Sequence, residues 1–191
     1  MYTYIKRAID IIFSLILLLL FLPLFLFIIV ILKIKKVDKV LFIQKRSGIN
    51  NSVFNIYKFT TITDSKKSDK FLKFLRKTGL DELPQLINIF NGDMSFVGPR
   101  PWILEYSKNF TKKQKKRLNV LPGLTGYAQV SECKDIFDKI EKDCYYVDHM
   151  SFWTDFKIIL STIGLIFSNS KNEITEVGIT QEIELLKKQK K

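Results

Sequence analysis

The sequence predicts a mainly helical α+β chain with an N-terminal membrane segment, on three observations. From Ile11 to Leu32 there is no charged residue, and Leu, Ile and Phe dominate the run. Behind it, two short apolar runs rich in β-branched and aromatic residues flank a Gly-Ile-Asn-Asn turn at 48–51, the pattern of a strand pair. Most remaining apolar residues recur at helical spacing. With 191 residues, the chain has room for one modest domain and an attached element, hardly for two full domains.

As helix, the apolar run reaches about 33 Å at 1.5 Å per residue, close to the hydrocarbon thickness of a bilayer. It is too long for a signal peptide, and no small-residue cleavage site follows it. Pro23 lies near its middle, where it removes a backbone donor and collides with the Leu19 carbonyl. The pieces on either side are about 18 Å and 13 Å long, too short to cross alone. Lys6 and Arg7 precede the run, and Lys33, Lys35, Lys36 and Lys39 follow it. Positive residues favour the cytoplasmic side. A helix that enters, breaks at Pro23 and returns satisfies both flanks; a proline-kinked spanning helix satisfies the length. The residues leave both open.

The next elements follow in order. Val40–Ile43 and Val53–Phe59 read as strands, and Thr63–Asp69 as a polar surface loop. Phe71, Leu72, Phe74 and Leu75 give a helix running toward Thr78. A second helix holds Leu83, Leu86, Ile87 and Phe90 and stops at Asn91-Gly92. Gly98-Pro-Arg-Pro101 cannot be a regular element, and Pro122-Gly123 with Gly126 marks a tight turn. Lys108–Arg117 reads as a basic helix, with positive charges at 108, 112, 113, 115, 116 and 117. Phe156, Ile159, Leu160, Ile163 and Phe167 share a helix face behind Trp153, too short to span; it can pack in a core or lie in the headgroup interface, and Trp153 and the basic surroundings favour the interface. From Lys171 the chain is polar, ends in lysines and is expected to be a mobile tail.

A net charge of +12 favours anionic partners: nucleic acid, acidic lipids or phosphorylated substrates. The aromatic residues lie in apolar runs rather than on a basic sheet face, which argues against a nucleic-acid module. Cys133 and Cys144 belong to no metal-ligand spacing. With the single His149 they exclude a zinc site and read as reduced thiols of a cytoplasmic compartment.

Asp81 and Glu82 stand side by side in Thr78-Gly-Leu-Asp-Glu-Leu-Pro-Gln85. Pro84 is tolerated only in a first helical turn, so the helix should begin near 81–83, with both carboxylates at its positive end. As an isolated pair they read as ordinary N-terminal acids. Their company points further: Arg76 lies five residues before Asp81, and Arg100 is held between two prolines on a stiff backbone suited to gripping phosphate. Carboxylates beside arginines, in a chain with a membrane segment, suggest phosphate chemistry with a divalent metal. The carboxylates can hold Mg²⁺ by oxygen, and one can attack phosphorus.

Ordered blocks carry a resemblance: Lys6-Arg-Ala-Ile-Asp10, Phe42-Ile-Gln-Lys-Arg-Ser-Gly48, Tyr57-Lys-Phe59 and Leu80-Asp-Glu-Leu-Pro-Gln85. Gly92-Asp-Met-Ser-Phe-Val-Gly-Pro-Arg-Pro101, Pro122-Gly-Leu-Thr-Gly-Tyr-Ala-Gln-Val130 and Asp143-Cys-Tyr-Tyr146 continue the series. From about Lys6 to Phe167 the chain resembles the bacterial sugar transferases, small monotopic phosphoglycosyl transferases that prime glycan assembly on undecaprenyl phosphate. Several act as polyprenyl-phosphate N-acetylhexosamine-1-phosphate transferases.

The resemblance implies a re-entrant membrane helix over residues 1–39 and a small cytoplasmic catalytic domain with interfacial amphipathic helices over 40–170. A lysine-rich tail follows over 171–191. It implies Mg²⁺ as cofactor, a UDP-sugar and undecaprenyl phosphate as substrates, and a place on the cytoplasmic face of the bacterial inner membrane among anionic lipids. Asp81 would be the nucleophile that forms a phosphosugar intermediate as UMP leaves, and Glu82 its metal-binding or proton-handling partner. Lys58, Arg76 and Arg100 would offset phosphate charge. Gln129 would be a further substrate-binding residue, and Asp155 matches another functional acid. Leu22 replaces a Ser common in the family before the proline, Thr60 replaces a basic residue, and Ser131-Glu-Cys-Lys134 replaces a polar run, as Phe137-Asp-Lys139 does an acidic and aromatic one. These departures fall on the bend and on the nucleotide and sugar contacts and leave Asp81 and Glu82 intact. The competing class is a catalytically silent membrane scaffold of the same fold.

Overall fold

Pro23 divides the apolar run as its chemistry requires. In the computed structural model, which describes residues 2–62, 69–167 and 177–189, helix α1 spans Tyr2–Leu20 and α2 spans Leu22–Ile34. The two are bent by 58°. Pro23 sits in the first turn of α2, where its missing N–H needs no partner. The bend forms with Leu22 in place. Phe21 carries the junction: its N–H donates to the Leu17 carbonyl and its carbonyl accepts from Phe25, each at 2.9 Å. Among the described residues no single helix is long and apolar enough to cross a membrane; the bent pair together has the length and composition.

Helix α1 has two unlike faces. Lys6, Asp10 and Ser14, spaced by four, are buried, whereas Ile5, Ile12, Phe13, Ile16, Leu19 and Leu20 are exposed. Spacing by four keeps the polar residues on one stripe. Lys6 pairs with Asp155, and Arg7 donates to the carbonyls of Ile89 at 2.6 Å and Phe90 at 2.8 Å. Asp10 accepts from the Phe96 N–H at 3.1 Å. In α2, Ile28 and Leu32 are buried with Phe59, Leu72 and Leu75, while Leu26, Phe27 and Val30 remain exposed.

Strands β1 (Leu41–Ser47) and β2 (Val53–Phe59) form an antiparallel hairpin, Leu41 opposite Phe59 and Ser47 opposite Val53. The turn places Asn50 and Asn51 in the left-handed region, which Asn tolerates. Strand β1 runs four residues beyond the expected Ile43, because hairpin pairing recruits the polar Gln44, Lys45 and Arg46. Helix α3 (Lys70–Thr78) starts where Asp69 accepts from the Phe71 and Leu72 N–H groups, and it ends at left-handed Gly79, so both its ends are capped. Residues 63–68 of the expected loop lie outside the described residues.

A 3₁₀ turn at Leu80–Glu82 precedes α4 (Gln85–Asn91), which ends at left-handed Gly92. The helix thus begins at Gln85 rather than at 81–83, and Asp81 and Glu82 occupy a separate turn. Strand β3 (Ser95–Val97) pairs in parallel with β4 (Gly123–Thr125). The sequence gives no hint of this pairing, since three-residue strands carry no periodicity and Gly123 reads as a turn residue.

The rest is helical: α5 (Leu104–Lys108), α6 (Tyr127–Val130), α7 (Ile136–Asp148), α8 (Phe152–Phe167) and α9 (Val177–Gln189). The basic stretch 108–117 is not one helix. It spans the end of α5 and a 3₁₀ turn at Gln114–Leu118, and its Arg117 is buried. The tail is also corrected over its described part, residues 171–176 and 190–191 lying outside the described residues. Residues 177–189 form α9, whose Leu186 is fully buried against Tyr106, Phe110, Leu118, Ile136 and Ile140. Glu182 accepts from the Tyr106 hydroxyl at 2.6 Å and pairs with Lys139 at 3.2 Å. Lysine-rich composition concealed the apolar pair Ile183 and Leu186, one helical turn apart.

Truncating Leu186 to Ala should therefore cost about 2–5 kcal/mol, read as a lower denaturant midpoint of the detergent-solubilised full chain. An unchanged midpoint would mean that α9 does not dock.

Candidate active site

The hairpin register decides which side chains meet the 80–82 turn. In β2, Phe54, Ile56 and Lys58 share one face, and Phe54 and Ile56 pack on Leu86 and Ile89 of α4. Lys58, further along that face, reaches the turn before α4, where its Nζ donates to Glu82 Oε1 at 2.7 Å. Arg46 of β1 lies opposite Phe54, and Gln44 opposite Ile56, so both side chains fall on this face too. Arg46 Nη2 donates to Gln44 Oε1 at 2.5 Å, and Nη1 to the Pro101 carbonyl at 3.3 Å.

Arg100 arrives from a segment with no regular structure, held carbonyl by carbonyl. Pro99 accepts from the Gly123 N–H at 3.0 Å, Arg100 from Arg117 at 2.7 Å, Pro101 from Arg46, and Trp102 from the Ser47 N–H at 3.0 Å. The Gly98 N–H donates to the Thr125 carbonyl at 2.9 Å. This close approach depends on glycine. A Cβ on Gly98 would overlap the Leu121 carbonyl oxygen, and one on Gly123 or Gly126 would overlap the Gly98 backbone.

The result is a cleft lined by Arg46, Lys58, Glu82, Gln85 and Arg100, among others. Glu82 Oε1 lies 2.7 Å from Lys58 Nζ and 3.8 Å from Arg100 Nη2. Asp81 is half-buried beside it on the same turn. Burial first, then the neighbouring Arg100 charge, pull the Arg46 guanidinium down to about 10. It stays protonated at neutral pH, and an anion entering the cleft relieves that crowding. Three cations around one carboxylate form a receptor for a multiply charged anion.

The donors also suit a metal that shares its shell with a substrate. Among the described residues no group of three or more His, Cys, Asp or Glu could hold an ion. Two adjacent carboxylates completed by substrate phosphates are the way Mg²⁺ is commonly bound, so Asp81 and Glu82 fit that ion.

Of the residues singled out in the sequence, Lys58, Glu82 and Arg100 meet in the cleft, with Asp81 adjoining. Gln129 lies close by: its Nε2 donates at 3.2 Å to the carbonyl of Leu124, which lines the cleft. Arg76 is exposed on α3 and is not among the lining residues. Asp155 is not among the cleft-lining residues either. It is 6% exposed, accepts from Lys6 and from the Tyr2 hydroxyl at 2.5 Å through Oδ2, and from the Tyr146 hydroxyl at 2.7 Å through Oδ1. Both its oxygens bind α8 to the rest of the fold. Arg46 and Gln85 were missed as site residues, although both stand inside the quoted blocks; cross-strand register is what puts Arg46 in the cleft.

The sequence model of the family described as bacterial sugar transferase matches residues 1–169. The chain belongs to that family. This sugar transferase is 38% identical over 172 residues to the uncharacterized sugar transferase EpsL of Bacillus subtilis (strain 168), covering 83% of this chain and 85% of the relative. It is 34% identical over 188 residues to the UDP-N-acetylgalactosamine-undecaprenyl-phosphate N-acetylgalactosaminephosphotransferase of Aeromonas hydrophila, covering 87% of this chain and 44% of that protein. It is also 34% identical over 188 residues to the UDP-glucose:undecaprenyl-phosphate glucose-1-phosphate transferase of Escherichia coli (strain K12), covering 86% and 40%. It thus spans most of the Bacillus relative and under half of the other two. Helix α9 of the transferase lies beyond the matched residues.

The glycine seam makes a prediction. Gly98→Ala should force β3 from β4 and lower stability by about 3 kcal/mol. Gly164→Ala in α8, where a Cβ meets nothing within 4 Å, should raise it by about 0.5–1 kcal/mol. Thermal unfolding of both variants checks the pair.

Proposed function

We propose that this transferase moves a sugar 1-phosphate from a UDP-sugar to undecaprenyl phosphate, giving undecaprenyl diphosphate-sugar and UMP through a covalent aspartyl phosphosugar intermediate. The observation that carries the reading is the ring of Arg46, Lys58 and Arg100 around Glu82, with Asp81 beside it on one turn. The cations suit a diphosphate, and the adjoining carboxylate suits attack on phosphorus. The activities by which the Aeromonas and Escherichia relatives are named support undecaprenyl phosphate as acceptor and a hexose or N-acetylhexosamine as the sugar.

A carboxylate oxygen of Asp81 attacks the sugar-bearing phosphorus. The bond from that phosphorus to UMP breaks, and its electron pair leaves on UMP. Lys58 and Arg100 exchange Glu82 for phosphate oxygens as the diphosphate enters, and they offset charge on the transferred and departing groups. Arg46, fixed by Gln44 and the Pro101 carbonyl, adds a third cation without having to reorganise. Mg²⁺, held by Asp81 and Glu82, supplies further neutralisation of diphosphate charge when bound. An oxygen of the polyprenyl phosphate then attacks the same phosphorus, and Asp81 departs as a carboxylate. Two steps let a water-borne donor and a lipid-borne acceptor use the site in turn.

In this reading the α1–α2 pair enters and leaves the cytoplasmic leaflet of the bacterial inner membrane. The exposed Trp153, Phe156, Leu160 and Ile163 of α8 lie at the headgroups, and anionic lipids attract the surface lysines at roughly 1 kcal/mol each. Nucleic acid has no part in it.

Intact-protein mass spectrometry of the purified chain with Mg²⁺ and a panel of UDP-sugars, without lipid, tests the route. The expected result is a mass gain of one sugar phosphate, absent in Asp81→Asn and after chelation, and restored by added Mg²⁺. Full turnover by Asp81→Asn would sink the nucleophile assignment. A lack of UMP release with every sugar, even with polyprenyl phosphate, would favour a silent scaffold. Arg46→Ala should lower kcat/KM about 10²–10³-fold, as loss of one preorganised charge does.

A further inference from the structure

We propose that Arg117 and Asp143 are positioning residues of the active site, a buried pair that fixes the backbone from which Arg100 reaches the substrate diphosphate. The inference rests on the reading of the cleft as a diphosphate site.

The two side chains are each 1% exposed. Arg117 Nε and Nη2 donate to Asp143 Oδ2 at 3.0 and 2.6 Å. The guanidinium carbon lies 4.3 Å from the Trp102 ring centroid and 5.4 Å from that of Phe110. Burying both charges costs heavily in desolvation, and apolar residues often fill such places with equal or greater stability. Stability alone gives little reason for a pair here. A second bond supplies one: Arg117 Nη2 also donates to the Arg100 carbonyl at 2.7 Å.

That bond matters because of where Arg100 stands. Pro101 has no N–H, and no strand ladder runs through 98–102, so regular pairing cannot set this backbone. Each carbonyl from 99 to 102 is held by a separate donor. The donor to Arg100 is a guanidinium clamped by a carboxylate and two aromatic rings. The Arg100 side chain is 42% exposed and lies 3.8 Å from Glu82, so its place is set mainly by the backbone beneath it. A displacement of about 1 Å in a group that orients substrate can cost on the order of 10²-fold in rate.

The test compares four full-length proteins in detergent: unaltered, Arg117→Lys, Arg100→Ala and the double variant. UDP affinity is measured by calorimetry beside the thermal midpoint. With Arg100 present, Arg117→Lys should weaken UDP binding about tenfold; with Arg100→Ala the same change should cost less than about twofold, since coupled residues are non-additive. The midpoint should fall equally in both backgrounds. Equal weakening of UDP binding in both would make the pair purely structural and overturn the inference. Should Arg117→Lys fail to fold, Asp143→Asn in the same two backgrounds gives the same comparison. Unaltered protein that binds no UDP would overturn the diphosphate reading and this inference with it, so the two failures are told apart.

Discussion

The apolar N-terminus is fastened to the rest of the chain by charge, and the placing of α4, β3 and α8 against it depends on that fastening. Apolar contact is non-directional, and α1 and α2 offer apolar surface on most sides. Packing alone would let α1 slide or turn. Lys6 to Asp155, Arg7 to the last carbonyls of α4, and Asp10 to the Phe96 N–H fix it at three heights against α8, α4 and β3. The same bonds cover the C-terminal carbonyls of α4, the helix that follows the Asp81–Glu82 turn. The N-terminal helix pair is thus tied directly to the helix that follows the turn of the cleft.

A second layer of constraint runs through backbone contact. Gly98, Gly123 and Gly126 let two loops meet closer than any side chain permits, and the carbonyls of 99–102 are then taken up one by one by β4, Arg117, Arg46 and β1. Arg46 serves twice, since it lines the cleft and also holds the segment that delivers Arg100. The cations are therefore positioned before any anion arrives, which is the condition for strong electrostatic stabilisation.

Local signals were legible where the physics is local. Pro23 and Gly92 each act within one turn, and the break, the end of α4 and the β2 strand appear where their residues put them. The grouping of Glu82 with Lys58 and Arg100 was legible because ordered motifs carry these residues, whereas the separate turn at 80–82 was not. What escaped depends on partners far along the chain. The pairing of Asp155 with Lys6, 149 residues away, leaves no mark in the local sequence. Arg117 is hidden among lysines that point to solvent, and its burial follows from Trp102, Phe110 and Asp143 closing on it. Arg46 enters the cleft through cross-strand register, and β3 with β4 is too short to leave a period. Helix α9 is masked by its own lysines.

The bridge from Glu82 to Lys58 and Arg100 has a consequence for what the cleft ignores. A receptor of bare cations would fill with whatever small anion the solvent offers. Here the protein supplies its own anion, tethered and always present, so a lone phosphate must displace a carboxylate to gain a place. A ligand that presents two phosphates displaces the same carboxylate but answers Arg46, Lys58 and Arg100 together, and so gains more from the exchange than a lone phosphate does. The occupied resting state disfavours anions that can satisfy only one of the cations.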